Sequence, residues 1–369
     1  MKKIYYDVTT LEDHPIKDGI RRVSNDWLKR LARRHPSEIG AMVIPVYCGK
    51  GILQPSYNFM LNEAFGESNP FIRQHGITVT EEDLFIVPSY DIFVPQMNFS
   101  FEGITGKAKV VSVIYDLLPI SNPEWFPDEG VNDRFKSALD KQCFYSDRLI
   151  VNSAHVASNL NEYILNSGYP TANDRISVVP LLGSALEMKS ISVSKGQRKQ
   201  VLCVGTVEPR KGYQDLLEAL LKEDDLDFDI VIIGRLGWQA DEMLPLLKKC
   251  RKKFGTKFRW ERSASDSSLE IEYQKSDIVF CLSKDEGFGL PVVEALTRRI
   301  PCMIRNIPVF REVSKGAAVT FGPGGDYQDI NSVIANLESV IKLANQKILN
   351  FVPTSEEDNF TLLLDAIMK

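Results

Sequence analysis

Glu286 and Glu294 stand eight positions apart around a glycine turn, in the stretch Lys284-Asp285-Glu286-Gly287-Phe288-Gly289-Leu290-Pro291-Val292-Val293-Glu294. The apolar run 278–282 precedes it, and Pro291 suits a first helical turn because its missing N–H has no partner to lose there. The pattern is strand, glycine loop, helix. Gly287 and Gly289 allow close approach of backbone to a ligand, and the amides and dipole of the helix start near Leu290 favour a bound anion such as a diphosphate. Glu294, about one turn into the helix, can accept from ribose hydroxyls, and Glu286 can reach a sugar beyond the diphosphate. The competing reading is plain: Glu294 complements the dipole and Glu286 is solvated.

A second group of charges follows another apolar run. Arg210 and Lys211 come after the strand pattern at 201–205 and before a helical pattern at 213–221, where cations can neutralise charge gathering on a departing diphosphate. A solvated basic loop is the alternative. Tyr115 and Asp116 end the apolar run 110–115, Ser153 follows the run 149–152, and Gly19 to Val23 lead toward a helix expected over 24–34.

Taken together these segments resemble the retaining glycosyltransferase family 4. Glu286-Gly287-Phe288-Gly289-Leu290-Pro291 with Glu294 is similar to its donor-site signature, and Val204-Gly205-Thr206-Val207-Glu208-Pro209-Arg210-Lys211 to its glycine-threonine and Glu-Pro-Arg-Lys loop. Tyr115-Asp116-Leu117-Leu118-Pro119 resembles its His-Asp-Leu-Leu-Pro segment, and Gly19-Ile20-Arg21-Arg22-Val23 its N-terminal glycine loop. The matches run across most of the chain. The resemblance implies an α/β chain of the GT-B class, with two Rossmann-like doubly wound parallel sheets facing a central cleft. Residues 1–185 would form an acceptor-side domain, 200–345 the nucleotide-sugar donor domain, and 346–369 a helix returning to the first.

It also implies roles. Glu286, Arg210, Lys211 and Asp116 would act in catalysis. Gly19, Arg22, Tyr115, Thr206, Gly287, Phe288, Gly289, Leu290 and Glu294 would hold the donor, and Ser153 would meet the acceptor. Thr206 stands where many members carry arginine, which leaves Arg210 and Lys211 as the main phosphate clamp. Tyr115 replaces the usual histidine; a phenol donates a hydrogen bond but does not titrate near neutral pH, which weakens any general base there. Tyr115 reads equally as a core aromatic, and Ser153 as a helix cap. The implied activity is retaining, metal-independent hexosyl transfer, with GDP-mannose as the donor and a lipid-linked or surface polysaccharide as the acceptor. The alternatives are an epimerase or a noncatalytic nucleotide-sugar-binding partner of another transferase.

The elements that must position these residues are legible as alternation. Apolar runs at 42–46, 84–87, 110–115 and 149–152 read as strands, with helices at 134–145 and 154–167. The pattern restarts at 201–205, 230–234, 258–261, 278–282 and 317–321, after a polar linker at 190–200. Such alternation predicts parallel sheets flanked by helices, with ligands at the carboxyl ends of the strands. A last helix is expected over 355–368.

With 369 residues, 44% hydrophobic and 25% charged, the chain is sized for about two ordinary globular domains. A formal net charge of -5 argues against a dedicated nucleic-acid binder. The six cysteines are scattered, with no Cys-x-x-Cys or Cys/His ligand spacing, and read as reduced thiols. Lys2 and Lys3 are not followed by a signal-type apolar run, and no run has transmembrane length. A cytoplasmic protein is expected. The cations Arg21, Arg22, Lys29, Arg30, Arg33 and Arg34 interleave with Trp27, Leu28 and Leu31, which suits either peripheral contact with the inner face of the plasma membrane or a helix with a solvated charged face.

Several patterns are set aside. The Asp-x-Asp at Asp225 and Asp227 precedes a strand pattern instead of ending it and reads as an acidic turn. Gly322-Pro323-Gly324-Gly325 lacks dinucleotide spacing and reads as a strand stop, with Asp326 capping the helix expected over 327–337. There is no Gly-x-Ser-x-Gly elbow, Walker loop or His-Glu-x-x-His, and the four histidines are isolated.

Overall fold

The computed structural model describes residues 2–13, 19–49, 52–56, 79–89, 104, 106–126, 130–169, 174–183 and 194–368. His14, His75 and residues 190–193 of the expected linker lie outside them. The chain divides into two compact units. Unit 1 comprises Met1–Ile120, Gly130–Leu181 and Glu356–Lys369; unit 2 comprises Ser121–Glu129 and Leu182–Ser355.

Unit 1 is built on seven strands: β1 (Lys2–Asp7), β2 (Ala41–Gly49), β3 (Ile52–Pro55), β4 (Leu84–Val87), β5 (Lys109–Ile114), β6 (Arg148–Val151) and β7 (Ile176–Val178). Their order is β3-β2-β1-β4-β5-β6-β7, all parallel except the edge pair β2–β3. Every residue of β4 is buried, as expected of a strand covered on both faces. Tyr5, Val46, Phe85 and Val110 pack in one cluster, whereas Ile114, Leu149 and Val151 pack with Leu139, Val156 and Leu160 in another.

Unit 2 contains β8 (Gln200–Val204), β9 (Asp229–Ile233), β10 (Phe258–Glu261), β11 (Ile278–Cys281), β12 (Cys302–Arg305) and β13 (Val319–Phe321). All pairs are parallel, in the order β10-β9-β8-β11-β12-β13. This is the arrangement of a doubly wound nucleotide-binding sheet. In such sheets the order reverses beside the first strand, and ligands settle at the carboxyl ends there. Here that switch point lies between β8 and β11, the two strands that lead into Arg210/Lys211 and into Glu286.

Two expectations require correction. Residues 19–23 are not a loop: the helix runs Gly19–Arg33 and buries Val23, Ser24, Trp27, Leu28 and Leu31. Val23 and Trp27 are one helical turn apart, so the apolar stripe already needs helical geometry at residue 23. Asp326 does not cap a helix; it accepts from the Thr320 backbone N–H at 2.8 Å and pairs with Lys347 at 2.6 Å. The following helix starts later, at Ile330–Ala335, and Asp329 closes its first turn in a reciprocal capping box with Ser332. β1, which joins β2 to β4, was not among the expected strands.

The six cysteines are free and buried. No helix among the described residues is long and apolar enough to cross a membrane.

Candidate functional site

β8 ends at Val204 and the chain turns at Gly205, whose φ of 137° favours glycine. Gly234, just past β9, packs so tightly against the Gly205 carbonyl that a Cβ would occupy the same space. Thr206 is half-buried in this turn. Pro209–Lys211 then forms one turn of 3₁₀ helix, ended by Gly212 at φ 71°, and the Tyr213–Leu220 helix follows. A Cβ on Gly212 would land on the Leu282 carbonyl oxygen, so the turn carrying Arg210 and Lys211 lies directly against the chain leaving β11.

That contact assembles a charge cluster from residues 75 positions apart. Lys211 Nζ donates to Glu286 Oε1, Arg210 Nη1 lies 3.4 Å from Glu286 Oε2, and Arg210 Nε contacts Glu208 Oε1 at 2.7 Å. Ser283 Oγ donates to Glu286 Oε1 at 2.8 Å. A backbone bond from Lys284 N–H to the Arg210 carbonyl, 2.8 Å, ties the two loops together. Burial alone would raise the Glu286 carboxyl, but the Lys211 and Arg210 cations and the Ser283 hydroxyl reverse this and hold it at about 2. Glu286 is therefore an anion throughout the neutral range. A cavity of about 20 Å³ beside it, lined by Lys211, Tyr213, Ser283, Glu286, Gly289 and Phe310, has room for one water.

Gly287, Phe288 and Gly289 are buried and lead into the Leu290–Thr297 helix, with Pro291 in its first turn. Gly289 has φ 92°, and a Cβ there would lie 2.5 Å from the Phe310 ring. Only glycine meets both conditions. Glu294 is 2% exposed and belongs to a separate network: Tyr273 donates to its Oε2 at 2.7 Å. Burial, with the Glu294 charge alongside, pushes the Tyr273 hydroxyl well above its ordinary value. Arg298 stacks on the Tyr273 ring at 5.0 Å and pairs with the buried Glu270 at 2.8 Å. It also donates to the Glu294 carbonyl at 2.9 Å.

In unit 1, Tyr115 and Asp116 follow β5. The Tyr115 hydroxyl lies 3.3 Å from Ser24 Oγ on the Gly19–Arg33 helix, and Asn152 donates to the Tyr115 carbonyl at 2.9 Å. Asp116 accepts from the Leu118 N–H at 3.1 Å. Ser153 is fully buried and caps the Ala154–Asn166 helix, accepting from the Val156 N–H at 3.1 Å. Gly19 opens the basic helix and Arg22 is half-buried on it. Much of this helix's charge is engaged: Arg30 pairs with Asp26 at 2.9 Å and donates to Asn359, and Arg34 pairs with Glu357 at 2.5 Å. Lys29 and Arg33 are exposed.

Of the residues singled out from sequence, Arg210, Lys211 and Glu286 thus meet in one cluster, and Glu294 lies on the helix that follows it. Glu208, Ser283, Tyr273 and Arg298 were not identified as site residues. Glu208 lies inside one quoted motif and Ser283 directly before another, and both were within reach of the same reasoning. Tyr273 and Arg298 carry no signal in the sequence, since a tyrosine in the Asp266–Lys275 helix reads as core. Among the described residues no group of three or more His, Cys, Asp or Glu side chains is placed to hold a metal ion.

Residues 185–348 match the family model described as glycosyl transferases group 1. The matched stretch covers most of unit 2. Among similar proteins, the serotype-specific mannosyltransferase WbdA of Escherichia coli is 28% identical over 87% of this chain and 39% of its own length. The O-antigen chain mannosyltransferase RfbU of Salmonella typhimurium is 27% identical over 69% of this chain and 71% of its own. The chain thus spans about two fifths of the length of WbdA. The structure of HepE from Anabaena, in complex with UDP and glucose, has a TM-score of 0.58 at 13% identity over 95% of this chain and 94% of its own. Sucrose-phosphate synthase from Thermosynechococcus elongatus scores 0.59 at 13% identity, over 100% and 95%. These likenesses establish the fold, two Rossmann-like units of the GT-B class. The matched residues 185–348 include Arg210, Lys211, Glu286 and Glu294.

Proposed function

We propose that this chain transfers a hexose from a nucleotide-sugar donor to a glycan acceptor, with GDP-mannose as donor and a lipid-linked or surface polysaccharide as acceptor. The cluster of Lys211, Arg210 and Glu286 at the β8/β11 switch point carries the reading. It sets two cations where a diphosphate would meet the start of the Leu290–Thr297 helix, and one permanent carboxylate beside them. The mannosyl donor is inferred from relatives named as O-antigen mannosyltransferases.

In this reading the first-turn amides after Gly289 and the two cations hold the diphosphate, Glu294 takes ribose hydroxyls, and Glu286 orients hydroxyls of the transferred sugar. The acceptor oxygen bonds to the anomeric carbon as the carbon–oxygen bond to the diphosphate breaks. Its proton passes to the leaving phosphate oxygen on the same face, so configuration is retained. Lys211 and Arg210 lower the barrier by meeting the charge that grows on the leaving group; fixed charges of this kind need no reorganisation during the reaction. The transfer we propose is metal-independent, with these two cations supplying the charge neutralisation. Any membrane association would fall to the exposed Lys29 and Arg33.

Incubating the protein with GDP-mannose, UDP-glucose and UDP-N-acetylglucosamine, a lipid-linked glycan acceptor, and either EDTA or magnesium tests this directly. Transfer from GDP-mannose in EDTA, with an α-linked product by NMR, is expected. A β-linked product, or no turnover with any donor, would remove the proposal.

A further inference from the structure

The cluster depends on two loops staying in register, and a side chain outside both of them is built to hold them. Arg305 ends β12. Its Nε donates to the Leu282 carbonyl at 2.8 Å, at the start of the loop that carries Ser283 and Glu286. Its Nη2 pairs with Asp215 Oδ2 at 2.5 Å, in the first turn of the helix entered through Gly212, directly after Lys211. The guanidinium stacks at 4.8 Å over the Phe321 ring at the end of β13, which fixes its plane. One rigid fork therefore grips the carboxylate loop through a carbonyl and, through a carboxylate, the helix that directly follows the cationic turn. Lysine, a point charge on a flexible stem, cannot satisfy both directions while stacking.

The grip falls where it matters. The Leu282 carbonyl is the atom against which Gly212 is pressed, and Arg305 Nη2 would lie 3.2 Å from a Cβ at that glycine. Gly212 is the covalent neighbour of Lys211, so the position of the ammonium relative to Glu286 is set by how closely this turn approaches Leu282. A shift of about 1 Å in a catalytic charge costs on the order of a hundredfold in rate.

We propose that Arg305, with Asp215, is a positioning residue that sets the Lys211–Glu286 geometry and thereby turnover, without itself touching the donor. This rests on the proposed role of Lys211, and the test separates the two. Steady-state kinetics are measured for Arg305→Met, Arg305→Lys, Asp215→Ala, Lys211→Ala and the double variant Arg305→Met/Lys211→Ala, with thermal melts of each. Arg305→Met is expected to lower kcat by roughly tenfold while donor KM changes less than about twofold, with Asp215→Ala following it. In the Lys211→Ala background the same substitution should change kcat by less than about twofold, because no ammonium is left to place. Should Arg305→Met melt far below the parent protein, Asp215→Ala and its double variant with Lys211→Ala carry the same comparison. Full additivity, or an Arg305→Met enzyme with parental kcat while Lys211→Ala is impaired, overturns the inference alone. Lys211→Ala with parental kcat overturns the functional reading and this inference with it.

Discussion

Replacing Glu286 with glutamine keeps the side chain's shape and removes its charge, leaving Lys211 and Arg210 beside each other without their shared counter-ion. The size of the effect follows from the carboxyl's position at about 2 against an ordinary 4.5. At about 1.4 kcal/mol per tenfold change in proton affinity, that gap is worth about 3 kcal/mol of folded-state stability when the group is ionised. The sign is that of a lowered acid. The contribution is complete above the unfolded value near 4.5 and is lost as pH falls through the folded value near 2. The gap between parent and Glu286→Gln should be about 3 kcal/mol at pH 7 and about 2 kcal/mol at pH 3.5. Urea titrations read by amide hydrogen exchange in β8 and β11 report unit 2 separately from unit 1. A gap of unchanged size at both pH values, or none at pH 7, would show that the cations do not hold this carboxylate.

The other expectations are simpler. Lys211→Ala should lower kcat by roughly a hundredfold with little change in donor KM, whereas Glu294→Ala should raise donor KM; steady-state kinetics across donor concentration distinguish them. Gly289→Ala forces a Cβ to within 2.5 Å of the Phe310 ring at φ 92°. It should destabilise by more than about 1 kcal/mol and abolish transfer, as seen in thermal melts and the transferase assay. Asp329→Ala removes the capping box of the Ile330–Ala335 helix and should cost about 1 kcal/mol in a urea melt while leaving kcat unchanged.

Much of the second unit was readable because its strands are short apolar runs bounded by glycine and polar residues, the pattern a sheet buried on both faces imposes. β10 was expected at 258–261 and lies there, and β11 was expected at 278–282 and ends one residue earlier. β1 escaped because Ile4-Tyr5-Tyr6 sits between lysines and an aspartate, and tyrosine reads as polar until its hydroxyl has a partner. Tyr6 finds one in the Ser24 carbonyl at 2.7 Å. β12 was missed for a related reason: Cys302-Met303-Ile304 is a brief run between Pro301 and Arg305, with no alternation to mark it.

At the site, residue types were legible and pairings were not. The motifs pointed to Glu286 and to Arg210 with Lys211, but their mutual neutralisation arises from a contact across 75 positions that no local pattern encodes. Tyr273 and Arg305 are invisible for the same reason, since each matters only through what the folded chain brings beside it.

The first unit is assembled from separated stretches of the chain, and this governs how it can be made. The helix Glu356–Met368 belongs to it, with Asn359 wholly buried, donating to the Pro180 carbonyl at 2.6 Å and accepting from Arg30 at 2.9 Å. During synthesis the strands β1 to β7 leave the ribosome long before this helix exists, so they must wait with that surface uncovered while the later sheet forms. A ribosome stalled short of residue 356 would therefore display a half-closed early lobe, the species on which a chaperone has most reason to act.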